Sequence, residues 1–237
     1  MRFKNGYKAV FFDLDGTLRH TVPLLSDVFA EKARELGLNF SEEKRLESGR
    51  WEHYYWASSS ELRTDSETYT APDTFWANYA KLRLEKLGAS SAEIEEFATP
   101  INAYLKDEYK GKDWAPPELH EILPALRSAG FKLGVLSNRR DTFMDKMREL
   151  ALDQYFEFIM AAGEVGSWKP NPEAFAPMIK YFDVNPAESL YIGDNYYADV
   201  IGARAAGMIP ILYDPRGLFP DADCTRIVSF NQLVEIL

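Results

Sequence analysis

The sequence predicts a three-layer α/β sandwich built on a parallel sheet, with a helical bundle inserted after its first strand. Three observations carry this expectation. Five short apolar runs show no polar alternation, as expected for strands covered on both faces. Helical patterns separate the later runs, the rhythm of an α/β sandwich. Between the first run and the second lie more than a hundred residues of mostly helical pattern, although a parallel crossover needs only one helix.

The five expected strands are Lys8 to Phe12, Lys132 to Leu136, Phe156 to Met160, Ser189 to Ile192 and Pro210 to Tyr213. Glu118 to Ala129 reads as a helix, apolar at Leu119, Ile122, Leu123 and Leu126, with Gly130 as its stop signal. Thr142 to Leu152, Pro172 to Phe182 and Ala198 to Ala206 have similar patterns. In the intervening chain a helix is expected from Thr21 to Leu36, ending at Gly37. Ser41 can cap a second whose first turn holds Glu42 and Glu43. A third runs from Asp73 to Leu87. The capping box Ser90-Ser-Ala-Glu93 opens a fourth that ends near Gly111. The expected division is an α/β core of residues 1–20 and 111–237 and a helical cap of residues 21–110. The stretch from Gly111 to Pro117 serves as the returning linker.

Composition narrows the function. The chain has 237 residues, 46% of them hydrophobic, and a formal net charge of −10. It has length for one large core or two smaller ones. No Lys/Arg run stands out, so neither nucleic acid nor an anionic membrane is an expected partner. Cys224 is the only cysteine, which excludes an internal disulfide and a Cys-rich zinc site and fits a reducing, cytoplasmic location. It reads as a semi-buried structural residue. The apolar run after Gly6 stops at Asp13, too short for a signal peptide, and no stretch approaches a membrane span.

The chemistry begins at Phe12-Asp-Leu-Asp-Gly-Thr-Leu18. Residues two apart in an extended chain project together, so Asp13 and Asp15 would leave the first strand side by side. Gly16 permits the turn that follows. In open α/β sheets the carboxyl ends of strands form the ligand crevice. The other strand ends supply Ser137-Asn138, Lys169 before a proline-initiated helix, and Gly193-Asp194 with Asp199 beyond. Two carboxylates held together repel, so either one is protonated or a cation joins them. Four acids and one lysine in a dry cleft call for a metal, and an all-oxygen set suits Mg²⁺.

These motifs, in this order, resemble the haloacid dehalogenase superfamily. The resemblance rests on Asp13-x-Asp15-Gly-Thr17, on Ser137-Asn138, on Lys169-Pro-x-Pro172, and on Gly193-Asp194-x-x-x-x-Asp199 followed by Gly202-Ala-Arg-Ala-Ala-Gly207. It implies that Asp13 is a nucleophile that becomes an aspartyl-phosphate, with Asp15 as general acid and then base. Ser137 would hold phosphoryl oxygens and Lys169 would neutralise charge. Mg²⁺ would sit on Asp13, Asp194 and the backbone carbonyl of Asp15. Asp199 would orient Lys169 or a metal-bound water, or simply cap the next helix. Thr17, Asn138 and His20 are the expected substrate contacts, although Asn138 could be a turn residue and His20 a hinge. His20 stands where the family often has an acid.

The implied activity is a phosphatase acting on a small phosphorylated metabolite, as a monomer or homodimer. A 2-haloacid dehalogenase and a phosphomutase are the alternatives, and Asp15 argues against the former. The helical cap is expected to close over the core and set substrate choice. The aromatic stretch Arg50-Trp-Glu-His-Tyr-Tyr-Trp56 reads first as bundle core and second as a stacking surface for substrate.

Overall fold

The computed structural model describes residues 6–237. The opening residues 1–5, considered above for a leader segment, lie outside the described residues. The strands in chain order are β1 (Ala9–Phe12), β2 (His20–Val22), β3 (Lys112–Trp114), β4 (Lys132–Ser137), β5 (Phe158–Ala161), β6 (Ser189–Gly193), β7 (Ile209–Tyr213) and β8 (Thr225–Ile227). The helices are α1 (Leu25–Glu35), α2 (Glu42–Trp56), α3 (Ser60–Thr68), α4 (Pro72–Lys86), α5 (Ser91–Asp107), α6 (Leu119–Ser128), α7 (Met144–Glu149), α8 (Ala176–Phe182), α9 (Ile201–Ala205) and α10 (Leu233–Ile236). The chain forms two compact units, residues 1–20 with 113–237 and residues 21–112.

Six strands make one parallel sheet in the order β5-β4-β1-β6-β7-β8. The apolar strands are buried because both faces are covered. Val10 and Phe12 point to a layer that includes Leu119, Ile122, Leu126 and Met147. Ala9 and Phe11 point to the other, with Phe175, Met178 and Phe182. From β1 the chain builds outward through β4 and β5, then returns to β6 on the opposite side. The strand order therefore reverses at β1, which makes the carboxyl end of β1 the switch-point crevice of the sheet. Register places Phe12 opposite both Val135 and Ile192, so Asp13 emerges between the ends of β4 and β6.

The three-layer α/β expectation holds, with local differences. β5 starts at Phe158 rather than Phe156, and β8 was not expected. β8 is an edge strand whose first two residues face solvent, so its sequence carries no apolar run. The helix expected over Thr142 to Leu152 shrinks to α7, because Ala151 turns left-handed at φ 55°. The segment Pro172 to Phe182 divides into a 3₁₀ turn and α8, with Pro177 unable to donate in the first turn of α8. The segment Ala198 to Ala206 opens as a π-turn over Tyr196–Val200 before α9.

The helical unit packs Phe29, Ala33, Leu84, Phe97 and Ile101 into its own core. Its first helix starts at Leu25, not Thr21, because Thr21 and Val22 extend into β2 and the residue before a proline avoids helix. The stretch read as a plain linker contains β3, which pairs with β2 as a two-stranded ribbon. The capping box of Ser90 and Glu93 opens α5. Helix α3 was not expected, since it buries no residue and has no apolar stripe. In α2 the aromatic stretch divides: Tyr55 is fully buried against Trp51 and Tyr79, while Trp56 keeps 38% of its surface exposed. Tyr55 also donates its hydroxyl to Asp65 at 2.8 Å. Replacing Tyr55 by Ala should therefore destabilise the helical unit by about 3–5 kcal/mol, the usual loss for a buried aromatic, measurable by urea unfolding.

Candidate active site

The crevice is built from four strand ends, and its centre is Lys169. This side chain is 1% exposed, and its Nζ lies 2.6 Å from Asp13 Oδ1 and 2.7 Å from Asp199 Oδ1. It also reaches the Tyr191 hydroxyl at 2.9 Å and the Leu136 carbonyl at 3.1 Å. A buried ammonium is costly unless paired and hydrogen-bonded, and here it is both. Burial works against its charge, but Asp13 and Asp199 hold it protonated well above the ordinary lysine range.

The loop that presents Lys169 is fixed by Asn138. Its amide nitrogen donates to the Lys169 carbonyl at 2.9 Å, and its amide oxygen accepts from the Lys169 N–H at 2.8 Å. Both ends of the Asn138 amide, expected as a substrate contact or a turn residue, are thus engaged with the Lys169 main chain. Ser137 lies at the end of β4, 2% exposed.

Asp199 arrives through the π-turn. Its Oδ2 accepts from the Asn195 N–H at 2.9 Å, and the Asn195 side chain caps Tyr197 and Ala198. Gly193 lets Asp199 approach, since a Cβ there would stand 2.2 Å from the Asp199 carboxylate. Gly16 does the same for Asp194: it has φ +86°, and a Cβ would stand 2.1 Å from Asp194 Oδ2. Buried Thr17 lies near Asp194, with Oγ1 3.4 Å from Oδ1.

Asp13, Asp194 and Asp199 offer oxygens within 4.8 Å of one another, a set able to hold a cation. Burial pushes the Asp13 carboxyl up to about 7, against the pull of Lys169 and with Asp199 adding to the rise. Burial, then the charges of Asp13 and Asp199, push Asp194 well above the usual carboxylate range. The triad is thus short of positive charge despite Lys169. Three carboxylate donors and no nitrogen or sulfur among them suit a hard divalent ion such as Mg²⁺.

Asp15 faces elsewhere. Its Oδ1 accepts from Arg19 at 2.6 Å and from Arg139 Nη2 at 2.8 Å, and its Oδ2 accepts from Arg139 Nε at 2.7 Å. Burial would raise its pKa, but the hydrogen bonds and charge of Arg139, then of Arg19, hold it below the ordinary value. Its carboxylate is therefore not one of the clustered donors. Arg19 is itself anchored on Asp113, which also pairs with Lys146 at 2.6 Å. His20 is not with the acids. It stacks on Trp114 at 5.1 Å and Nε2 meets the Thr17 carbonyl at 3.0 Å. Sequence reasoning missed Arg19, Arg139 and Tyr191. The two arginines directly follow motif residues, and Tyr191 is a hydroxyl inside an otherwise apolar strand, a group that needs a partner.

Comparison with known proteins identifies the class. The model of the haloacid dehalogenase-like hydrolases matches residues 7–207, and the chain belongs to that family of hydrolases. It is 28% identical over 234 residues to a phosphoserine phosphatase of Thermus thermophilus, covering 90% of this chain and 91% of the relative. It is 29% identical over 226 residues to a glyceraldehyde 3-phosphate phosphatase of Methanopyrus kandleri, covering 91% and 87%. The crystal structure of a 2-haloacid dehalogenase from Pseudomonas syringae superposes with TM-score 0.55 and 29% identity over 97% of both chains.

The pKa directions give a testable sign. A carboxyl raised in the folded protein binds a proton there that it releases on unfolding. Without metal, the Asp13 site therefore loses stabilising free energy as pH rises from the ordinary carboxylate range through about 7. A divalent cation should offset that loss. Saturating Mg²⁺ should raise the melting temperature more at pH 7.5 than at pH 5.5, with about 2.7 kcal/mol gained at a hundredfold excess over Kd. The Asp194→Asn variant should show little of this rise.

Proposed function

We propose that this hydrolase is a Mg²⁺-dependent phosphatase acting on a small phosphorylated metabolite through a covalent intermediate on Asp13. The observation that carries the reading is the state of Asp13. It is 6% exposed, with Lys169 on one oxygen, at the strand-order reversal and within the acidic triad. The second oxygen is left to act as nucleophile. The names of the two phosphatase relatives support the same reaction type.

Asp13, Asp194 and the Asp15 carbonyl would hold the ion, which when bound supplies positive charge to the carboxylates and to the phosphoryl oxygens. In the first step the free Asp13 oxygen bonds to phosphorus and the bond to the leaving oxygen breaks. The leaving oxygen takes a proton from Asp15. In the second step the Asp15 carboxylate takes a proton from water, whose oxygen bonds to phosphorus. The Asp13–phosphorus bond breaks and phosphate departs. Lys169 and Ser137 stabilise charge on the transferring group, the main contribution a protein makes to phosphoryl transfer. Asp199 fixes Lys169. The arginine pair keeps Asp15 ready for the second step and opposes its protonation for the first. Leaving groups that need little protonation should accordingly be favoured.

The helical unit, which leaves the core two residues after Leu18 and returns at residue 113, is read as the part that sets substrate choice. The dehalogenase relative keeps a second reading in view, in which Asp13 attacks carbon. Asp15 weighs against it.

Phosphate release from a panel of phosphorylated metabolites should require Mg²⁺ and cease in EDTA. Full activity in chelator, or halide release from 2-haloacids, would overturn the reading. Asp13→Asn should abolish the phosphoryl adduct seen by mass spectrometry after acid quench. Asp15→Asn should still form it from p-nitrophenyl phosphate and accumulate it, while losing about 10²–10⁴-fold in turnover of alkyl phosphates.

A further inference from the structure

Lys169 Nζ has three hydrogens and four oxygens within reach: Asp13, Asp199, Tyr191 and the Leu136 carbonyl. Tyr191 resolves the count. Its hydroxyl donates to the Leu136 carbonyl at 2.8 Å, and so turns a lone pair toward Lys169 at 2.9 Å. The carbonyl is then satisfied by the phenol, and the third lysine hydrogen belongs to Tyr191. The first two belong to the carboxylates. We propose that Tyr191 is a positioning residue that aims the Lys169 ammonium at Asp13. It acts on the reaction only through that lysine.

Several observations support this. Tyr191 is fully buried in β6, on the face shared with Phe11, and its ring packs edge-on against Phe175 at 5.0 Å. Its ring is therefore fixed, and so is the position of its oxygen. Burial keeps the phenol neutral by pushing its pKa well above the ordinary value, so it retains the proton it donates. Without the hydroxyl, Nζ would turn its third hydrogen to the Leu136 carbonyl. That contact is the longest of the four, at 3.1 Å, and shortening it would draw the ammonium away from Asp13. Asp199 alone cannot prevent this, since a single ion pair leaves the ammonium free to pivot about its stem. Tyr191 does not touch the reacting atoms, so its effect should appear in turnover and not in substrate binding.

The inference rests on the phosphatase reading for its kinetic consequence but not for the positioning itself, and the test separates the two. In the protein at pH 7, the ¹H–¹⁵N signal of the Lys169 ammonium should be protected. In Tyr191→Phe its hydrogen exchange should quicken about tenfold or more, the equivalent of one hydrogen bond to a charged group. An unchanged signal would overturn the proposal, whatever reaction the protein catalyses. With p-nitrophenyl phosphate and Mg²⁺, Tyr191→Phe should lower kcat about ten- to a hundredfold at nearly constant KM. In a Lys169→Met background the same substitution should change kcat less than twofold, because the residue it acts through is gone. An equal loss in both backgrounds would show general damage to the sheet and overturn the proposal. Should Tyr191→Phe fail to fold, Tyr191→Met in the same cycle carries the same expectations. A wild-type protein without phosphatase activity would overturn the functional reading while the ammonium signal still decides the positioning.

Discussion

The buried ammonium of Lys169 is the interaction on which the rest of the site depends. A charge this deep is tolerable only with compensating groups, and each has been supplied by a different part of the chain. β1 brings Asp13, the π-turn brings Asp199, β6 brings Tyr191, and the Asn138 amide fixes the main chain from which the lysine extends. Desolvation makes these contacts strong and also makes the loss of any one of them expensive. The parallel sheet is what makes the convergence possible. It aligns strand ends that are up to about 180 residues apart in sequence and covers both faces with apolar layers.

The site holds two electrostatic compartments. In one, Asp13, Asp194 and Asp199 cluster beside one lysine, and burial pushes Asp13 and Asp194 toward protonation. In the other, Asp15 alone faces two guanidinium groups and is held ionised. Asp13 and Asp15 are two residues apart, yet their environments drive them in opposite directions. Separating the pKa values of neighbouring acids is how a fold gives them different tasks. Leu14, buried between them, keeps their backbones in one strand-to-turn segment.

Much of this was legible in the sequence because it depends on local patterns. Apolar runs such as Leu133 to Leu136 and Leu190 to Ile192 mark buried strands. The Asp-x-Asp spacing follows from the pleat, and the capping box at Ser90 is written in the chain. What was not legible depends on tertiary context. β8 has no apolar signature because it is an edge. The end of α7 is set by a left-handed Ala151, a residue with no sequence signal for that conformation. Arg19 and Arg139 look like ordinary surface arginines until the turn brings both to one carboxylate. Asn138 was visible as a short polar side chain, but only its pairing across to Lys169 reveals that it serves the backbone. For His20, a substrate contact or a hinge by its position after the motif, only the folded chain shows the ring lying against Trp114 and Tyr213.

The two-stranded ribbon of β2 and β3 has a further consequence. Residues 21–112 leave and rejoin the core through neighbouring strands. For the sheet, the insertion is therefore a loop whose ends are already joined, and the entropy of closing such a loop grows only with the logarithm of its length. Lengthening or exchanging the insert costs the sheet little. A lineage can thus rewrite the helical unit residue by residue, or replace it wholesale, while the chemistry anchored on Lys169 stays under separate selection.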